Sequence, residues 1–325
     1  MEILCIGSAV MDIMGYPIDQ KKEWKEKQCV EDIRILPGGD AVNQSIYMAK
    51  MGAYPALVAC VGSDTNGRIL KSALKDMKVD VSCVMEKEEI STGTAMVLVS
   101  EDGERRIFSV RGAHSTLSKH DVPKLEELPV QCRTISLASL FSMPEFEQDG
   151  LLEYLKEAKE RGLLVFADLA ADKLGLGLEG IWRFLPYIDY FLPSLYDVLT
   201  MTGTETAEEA ADVFHRLGVK HVVIKCGEKG CYCSVSRGNE SPINTDGFCG
   251  WIPALPVKPV DTTGAGDCMV GVFVTRILAG DTLDAAARFA CAAASYSTLY
   301  TGASTAEISR EMEVFQSTYE VTKSR

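Results

Sequence analysis

The sequence lacks the segments that would indicate a membrane or secreted protein. Its N-terminus, MEILCIGSAVMDIMG, has no basic stretch followed by an apolar core and a small-residue cleavage site. No run approaches the ~18 continuous apolar residues that a transmembrane helix needs. Positive charge is also scarce, because 33 Lys and Arg stand against 46 Asp and Glu, giving a formal charge of −13. Such a surface repels nucleic acid and anionic lipid, so we expect a cytoplasmic protein that binds neither.

Several common catalytic motifs are absent as well. The chain contains no G-x-x-x-x-G-K-[ST], no H-E-x-x-H and no G-x-S-x-G, and its four histidines form no cluster. The eleven cysteines fall largely within apolar runs, where cysteine behaves as a small hydrophobe. One literal G-x-G-x-x-G occupies residues 175–180, but residues 169–174 separate it from the strand that a dinucleotide site would require directly before it. We therefore expect neither a P-loop kinase nor a dinucleotide enzyme.

The sequence instead shows buried strands alternating with helices. Continuous apolar runs are typical of strands buried on both faces, as in parallel sheets covered by helices. Helical patterns lie at 151–161 and 206–217, and the second opens with a Thr206/Glu209 capping box. This alternation predicts an α/β fold with a central, mostly parallel sheet flanked by helices. The predicted strands are 2–7, 56–61, Thr134–Leu140, 163–168, 188–192 and 221–226.

Two segments interrupt the alternation. Residues 13–36 are polar and end as a short strand, DIRIL, whereas 93–111 contains two β-rich runs around Glu101-Asp102-Gly103-Glu104, typical of a hairpin. We predict that 13–36 and 93–111 form a small β-sheet lid over the ligand edge of a larger domain. That domain would comprise 1–12, 37–92 and 112–325. The alternative is that the two segments only decorate the surface.

The segment DTTGAGDCMVG at 261–271 carries the strongest chemical signal. Gly264 and Gly266 permit tight or positive-φ backbone, so amide groups cluster at a helix start and, with the helix dipole, form an anion site. Asp267 lies within that cluster. A carboxylate belongs there if the anion is a phosphoryl group in transit and the carboxylate takes the proton of the attacking hydroxyl. The alternative is a glycine turn with a helix-terminal carboxylate.

A second polar segment, PGGDAVNQS at 37–45, precedes another helix. Its glycines let backbone approach a ligand closely, while Asp40 and Asn43 offer hydrogen-bonding groups for hydroxyls. We place Asp12 with them, at the end of the first strand, because ligands of open α/β sheets bind beyond the carboxyl ends of strands. The sequence thus predicts a pocket for a polyol.

In their order and spacing these motifs resemble those of the PfkB (ribokinase-like) family of carbohydrate kinases, over nearly the whole chain. They are GSAVMD, Gly38-Gly39-x-x-x-Asn43, KCGEKG at 225–230, and DTTGAGD. The resemblance implies a ribokinase-like fold and ATP-dependent phosphorylation of a hydroxyl on a small sugar. It implies that Asp267 is the general base and that Gly264, Ala265 and Gly266 form the anion hole. Implied sugar contacts are Asp12, Gly39, Asp40 and Asn43, and implied nucleotide contacts are Lys225, Gly227, Gly230 and Cys291.

The resemblance also implies bound cations. Asp261 and Thr263 match positions that lend backbone oxygens to a monovalent cation, so potassium activation is a hypothesis. The family's Asn-x-x-Glu motif, linked to Mg²⁺ and phosphate, is replaced here by Ser194-Leu195-Tyr196-Asp197. Asp197 retains a carboxylate and Asp168 ends the preceding strand, so we expect these two to serve Mg²⁺, which is often held through waters.

The acceptor remains open at this point. Two carboxylates in the pocket favour neutral polyols, but Arg105 and Arg111 on one face of a lid strand would clamp a phosphate or carboxylate, unless both face solvent. Ribokinase or fructokinase activity is the leading hypothesis. A nucleoside kinase would need an aromatic surface such as Tyr16 or Phe108. A non-catalytic sugar-binding regulator is favoured by the altered Asn-x-x-Glu and opposed by the intact GAGD. Exposed lid edges predict a homodimer through the lid.

Overall fold

A computed structural model describes residues 1–19, 21–22, 27–101, 105–236 and 248–309 of the chain. Within these ranges, nine strands form a large sheet and four form a small one. The large sheet contains β1 (Ile3–Ile6), β4 (Pro55–Gly62), β5 (Val84–Lys87), β8 (Thr134–Leu140), β9 (Leu164–Leu169), β10 (Tyr190–Phe191), β11 (His221–Lys225), β12 (Cys231–Val235) and β13 (Gly250–Ile252). The small sheet contains β2 (Val10–Ile18), β3 (Asp32–Gly38), β6 (Gly93–Ser100) and β7 (Arg105–Val110).

The large sheet confirms the predicted α/β architecture. Its strand order is β13-β12-β11-β10-β9-β8-β1-β4-β5, and the pairs from β11 through β5 are parallel. Every residue of β1, β4 and β8 is buried, which explains why these strands read as continuous apolar runs. The antiparallel strands β12 and β13 at one edge were not predicted from the sequence.

Helices cover both faces of the large sheet and divide the core into two layers. One layer packs under α1, α2, α8 and α9, and the other under α3, α4, α5, α6 and α7. No helix in the described ranges is both long and apolar enough to span a membrane. The helices are α1 (Asp40–Lys50), α2 (Thr65–Asp76), α3 (Pro144–Asp149), α4 (Leu151–Glu160), α5 (Gly177–Ile181), α6 (Leu195–Thr202), α7 (Ala207–Arg216), α8 (Ala265–Leu278) and α9 (Leu283–Ser297).

The small sheet has the order β3-β2-β6-β7, and β6 and β7 form the expected antiparallel pair. The turn predicted between them falls mainly on residues 102–104, which lie outside the described residues, as do 20 and 23–26 of the other predicted segment. The structure corrects one detail. Asp12 lies inside β2 of the small sheet and not at the end of the first strand, which stops at Ile6. Strand β2 was missed because Gly15 and Pro17 interrupt its pattern, whereas pairing with both β3 and β6 holds it extended.

Candidate active site

The start of α8 has the backbone geometry expected of an anion site. Gly264 caps the helix in the left-handed region, with φ of 73°. A Cβ at this position would lie 2.3 Å from the carbonyl oxygen of Ala303, so only glycine fits. The first-turn amides of α8, including those of Gly266 and Asp267, have no acceptor within the helix. They form the positive end of the helix dipole.

Asp267 is held in place by two amide side chains from α1. Its Oδ2 accepts a hydrogen bond from Asn43 Nδ2 at 2.9 Å, and its Oδ1 accepts one from Gln44 Nε2 at 3.3 Å. Gln44 is fully buried. Sequence reasoning identified Asn43 but missed Gln44, although the two are neighbours in the PGGDAVNQS segment. Together they fix the carboxylate at the mouth of the anion site.

The network continues from Gln44 to an ion pair. Gln44 Nε2 also lies 3.3 Å from Asp168 Oδ2, and Lys225 Nζ binds the same oxygen at 2.5 Å. A Cβ on Gly266 would lie 3.7 Å from Lys225 Nζ. The ammonium group of Lys225 therefore adjoins the start of α8 and adds positive charge to the anion site. Both Asp168 and Lys225 were predicted site residues, for Mg²⁺ and for the nucleotide respectively, and the structure places them in contact with each other.

The electrostatics of this network tune Asp267. Burial, reinforced by the negative charge of Asp168, raises the pKa of Asp267 to about 6, against the opposing effects of the Asn43 hydrogen bond and the charge of Lys225. A base with a pKa close to the working pH combines a large deprotonated fraction with useful proton affinity. Asp267 thus has the properties of a general base.

A cavity of about 290 Å³ opens beside these residues, between the small sheet and the loops that follow β8 and β9. The predicted sugar contacts Asp12, Gly39 and Asp40 line it, together with Arg111. The side chain of Arg105 lies outside the described part of the chain. Other lining residues, which the sequence did not indicate, include Ser8, Val10, Ala95, His114, Phe141 and Lys173.

The two glycines of the PGGD segment pack closely against Asp12 and Ser8, and Gly39 is required by its positive φ and a backbone contact. A Cβ on Gly38 would lie within van der Waals overlap of the Asp12 carboxylate, 2.6 Å from its carbon. Gly39 has φ of 92°, and a Cβ there would lie 2.7 Å from the carbonyl oxygen of Ser8. The glycines therefore let Asp12 and the backbone approach the acceptor site closely.

Beside the cavity, two buried side-chain oxygens have no hydrogen-bond donor among the residues that the structure describes. These atoms are Asn43 Oδ1 and Gln44 Oε1. Burial raises the pKa of Asp12 to about 6. Burial and the neighbouring charges of Asp267 and Asp168 also raise the pKa of Asp40 well above its ordinary value. Buried carboxyl groups of raised pKa accept or share hydrogen bonds, and Asp12 and Asp40 line the cavity, where sugar hydroxyls would supply donors.

The residues predicted to contact the nucleotide differ in their surroundings. Gly227 and Gly230 both have positive φ, and a Cβ on Gly230 would lie 2.0 Å from the carbonyl oxygen of Ile252. Gly230 is thus required by the tight turn between β11 and β12. Cys291 is 4% exposed, and its Sγ lies 3.3 Å from that of Cys231. A role for Cys291 in contacting adenine stays a prediction.

The candidate Mg²⁺ residues lie close together without forming a complete cage. Ser194 caps α6, and its hydroxyl donates to Asp197 Oδ2 at 2.5 Å. The charge of Asp197 contributes to a raised pKa at Asp168, whose principal cause is burial, so the two carboxylates are neighbours. The described residues contain no group of three or more metal-binding side chains. This donor set fits a cation held mainly by phosphate oxygens and water, as Mg²⁺ commonly is.

The candidate monovalent-cation residues meet a distant segment of the chain. Asp261 Oδ1 accepts hydrogen bonds from Thr263 N and Oγ1, and Asp261 Oδ2 accepts one from Gly302 N at 2.9 Å. The Asp261 amide also donates to Thr298 O. The Asp261 carboxylate therefore links two loops, and the contact of Asp261 and Thr263 with a monovalent cation stays a prediction.

Comparison with known proteins agrees with this site. A family model described as pfkB family carbohydrate kinase matches residues 1–310. A ribokinase from Haemophilus influenzae is 32% identical over 285 residues, covering 84% of this chain and 84% of its own. A ribokinase structure from Thermotoga maritima matches with a TM-score of 0.78 at 27% identity, covering 97% of this chain and 99% of its own. A structure of Arabidopsis thaliana ribokinase complexed with ribose and ATP matches with a TM-score of 0.77 at 27% identity, covering 97% and 98%. With its catalytic motifs assembled at one sheet edge, the chain belongs to the pfkB family of carbohydrate kinases.

Proposed function

We propose that this kinase transfers the γ-phosphoryl group of ATP to a hydroxyl of a single small sugar, in the manner of ribokinases and fructokinases, with Asp267 as the general base. The observation that carries the proposal is the position of Asp267. Its carboxylate stands at the start of α8 and is held by Asn43 and Gln44. Its charge acts on Asp40, which lines the acceptor cavity together with Asp12. ATP as donor is supported by the ATP-bound ribokinase of Arabidopsis thaliana.

The reaction follows from this placement. The sugar hydroxyl gives its proton to Asp267 while its oxygen forms a bond to the γ-phosphorus. The bond from that phosphorus to the bridging oxygen of ADP breaks, and ADP leaves with the bonding electron pair. The first-turn amides of α8 and the Lys225 ammonium group stabilise the charge on the phosphoryl oxygens during transfer.

Mg²⁺ fits beside this site, with Asp197 as the carboxylate best able to hold it through water. Asp168 is already engaged by Lys225 and Gln44. When bound, Mg²⁺ supplies positive charge to the ATP phosphates. The shorter side chain at position 197, compared with the family's glutamate, accords with indirect coordination.

Potassium activation is a further part of the proposal. Asp261 and Thr263 lie against the segment around Gly302, which is the arrangement that a backbone cation site between the two loops needs. We expect turnover to fall severalfold when K⁺ is replaced by tetramethylammonium at constant ionic strength. Equal turnover with both cations would contradict the site.

The acceptor cavity favours a sugar over a nucleoside. Its volume of about 290 Å³ lies at the lower end of the usual range for ligand pockets. Tyr16 lines a different cavity, near Pro259 and Asp261, and Phe108 lies on the face of the small sheet opposite to Asp12. Neither of these two aromatic residues lines the acceptor cavity, whose lining includes the aromatic residue Phe141. The intact network around Asp267 likewise disfavours a non-catalytic regulator.

The small sheet is proposed to act as a lid and as a dimer interface. It contributes Asp12, Ala95 and Arg111 to the acceptor cavity, as a lid would. Its other face carries exposed apolar side chains, including Ile33 and Ile35, which are 65% and 53% exposed. Such a patch favours association with a second copy. A cytoplasmic location accords with the use of ATP and stays a prediction.

The test is ADP release with ATP and Mg²⁺ across ribose, fructose, other ketoses, sugar acids, sugar phosphates and nucleosides. We expect turnover on one class of acceptor. The Asp267→Asn variant should lower kcat ~10²–10⁴-fold, the usual range for a general base, and should retain sugar binding. A folded variant with near-full activity would overturn the assignment of Asp267. Silence of the folded wild-type protein across the panel would instead favour a non-catalytic relative.

A further inference from the structure

Two cationic side chains line the acceptor cavity from different parts of the fold. Arg111 follows β7 of the small sheet, and Lys173 lies in the loop after β9 of the large sheet. Both are exposed to solvent. Among the described residues, neither side chain forms an ion pair or a hydrogen bond. The charge of Arg111 acts on Glu147, which does not line the cavity, and both side chains bring positive charge to the cavity.

The carboxylates of the cavity do not neutralise these cations. Burial alone accounts for the raised pKa of Asp12, with no compensating contribution from a cation. The only cation that lowers the pKa of Asp40 is Lys225, at the phosphoryl side of the site. The charges of the cavity are therefore separated. Asp40 is close enough to Asp267 for their charges to interact, whereas neither Arg111 nor Lys173 contributes to the pKa of Asp12 or of Asp40.

A buried histidine lies at the end of the cavity that Arg111 and Lys173 line, which we call the cationic end. His114 is 7% exposed and also lines the cavity. Burial, together with the charges of Arg111 and Lys173, lowers the pKa of His114 to about 4. The charges of both cations thus act on the His114 imidazole, and this imidazole is neutral at physiological pH. The cationic end consists of a neutral imidazole flanked by one guanidinium and one ammonium group.

A neutral sugar could accept hydrogen bonds from these cations but would leave their positive charge unbalanced. Two like charges beside a small cavity repel each other, whereas an anion placed between them forms charge-assisted hydrogen bonds to both. The net charge of −13 makes such a local device necessary for any anionic substrate, because the overall field repels it. Arginine in particular suits the two oxygens of a carboxylate or phosphate.

We propose that the acceptor sugar carries an anionic group, a carboxylate or a phosphate, which Arg111 and Lys173 bind while the reactive hydroxyl faces Asp267. This inference rests on the proposed kinase function and narrows its substrate class. It assigns Lys173, which no sequence motif indicated, as a specificity-determining residue. It also assigns Arg111 a ligand role in preference to that of a solvated surface charge.

The experiment compares kcat/KM for three groups of acceptors. The sugar acids are gluconate and 2-keto-3-deoxygluconate, the sugar phosphates are fructose 1-phosphate and fructose 6-phosphate, and the neutral sugars are ribose and fructose. Each is assayed with the wild-type enzyme and with Arg111→Gln and Lys173→Gln. Lys124→Gln is the matched control, because Lys124 is a 71%-exposed lysine paired with Glu127 outside the cavity. It removes one positive charge from the chain without changing the acceptor site.

We expect an anionic sugar to be the best acceptor, and each cavity variant to raise its KM ~10–100-fold, the range for losing one hydrogen bond to a charged group. Lys124→Gln and the kinetics of neutral sugars should change less than about threefold, the scale of context effects at exposed charges. Preference for sugar acids or for sugar phosphates identifies which oxyanion is bound, and either supports the inference. A neutral sugar as best acceptor, with unchanged KM in both cavity variants, overturns it and leaves the kinase function standing. If the wild-type enzyme turns over none of these acceptors, the kinase function itself is refuted.

Discussion

At the scale of single residues, the chemistry depends on how Asp267 is surrounded. The side chain sits near the carboxylates of Asp168 and Asp40, the ammonium group of Lys225 and two amide donors, and its pKa is raised to about 6 by burial first and by Asp168 second. The same residue on an exposed helix start would be fully ionised and a weaker base. The site therefore obtains a usable base from an ordinary aspartate by burying it beside another carboxylate.

The first prediction concerns pH. Because the base must be deprotonated to accept the hydroxyl proton, kcat/KM should fall about tenfold per pH unit below a midpoint near pH 6 and level off above it. The measurement is a pH–rate profile between pH 4.5 and 8.5 with an acceptor whose charge is constant in that range. A profile that stays flat down to pH 5 in the folded enzyme would be incompatible with this pKa.

The second prediction concerns Gln44, which positions Asp267. Its amide donates to both Asp267 and Asp168, and donation to a carboxylate favours the charged form. Gln44→Leu should therefore move the midpoint of the pH–rate profile upward and lower kcat about tenfold at pH 6, with partial recovery at pH 8.5. Ser45→Ala is the control, since Ser45 is equally buried on α1 but its hydroxyl donates to Ala41 O. An unshifted midpoint in Gln44→Leu, or an equal shift in Ser45→Ala, would assign Gln44 to packing alone.

At the scale of elements, the start of α8 determines whether an anion site exists. Gly264 must adopt a positive φ, and it must also leave space for the Ala303 carbonyl. These two demands come from different elements, the helix start and the loop after α9. They explain why glycine is required here more strictly than at an ordinary helix terminus.

The third prediction separates these two demands. Gly264→Ala combines backbone strain with a clash and should reduce the free energy of unfolding by about 2–4 kcal/mol and abolish most activity. Gly280→Ala, just after the same helix, has φ of 96° but no atom within 4 Å of a new Cβ. Gly280→Ala should lower the free energy of unfolding by only about 1–2 kcal/mol, and this variant should keep its kinase activity. Denaturant unfolding and ADP release measure both effects, and equal behaviour of the two variants would refute the close contact with Ala303.

At the scale of the whole molecule, the small sheet has two different faces. The pairing of β2, β3 and β6 puts Asp12, Leu36 and Ala95 on the cavity face, and Ile35 and Met96 on the other. The second face is apolar and exposed, although its Ile35 and Met96 neither line the acceptor cavity nor belong to the helix-covered core. A net charge of −13 keeps copies of the chain apart in general, so association must be confined to such a patch.

The fourth prediction follows from that face. Sedimentation should show a dimer, and Ile35→Lys should convert it to a monomer, because a lysine brought to a self-complementary interface meets its own copy. Val130→Lys is the control, since Val130 is 94% exposed but lies outside the small sheet. A wild-type monomer at micromolar concentration, or dissociation by both variants, would count against a lid-mediated dimer.

The sequence by itself determined the local features of this kinase. Strands buried on both faces consist of continuous apolar residues, and the Thr206/Glu209 capping box predicted the start of a helix. The segment DTTGAGD predicted an anion site that contains a general base. These features could be predicted because each depends on residues within a few positions of one another, where periodicity and backbone preference decide the outcome.

The contacts between these distant segments could be identified only in the folded structure. The contact of Gln44 with Asp267 spans 223 positions, and that of Lys225 with Asp168 spans 57. Arg111 and Lys173 share a cavity because the small sheet stands over the loop that follows β9. Spacing along the chain carries no information about such encounters. They depend on the order of strands in the sheet, which is set by packing both faces at once against helices from distant parts of the chain.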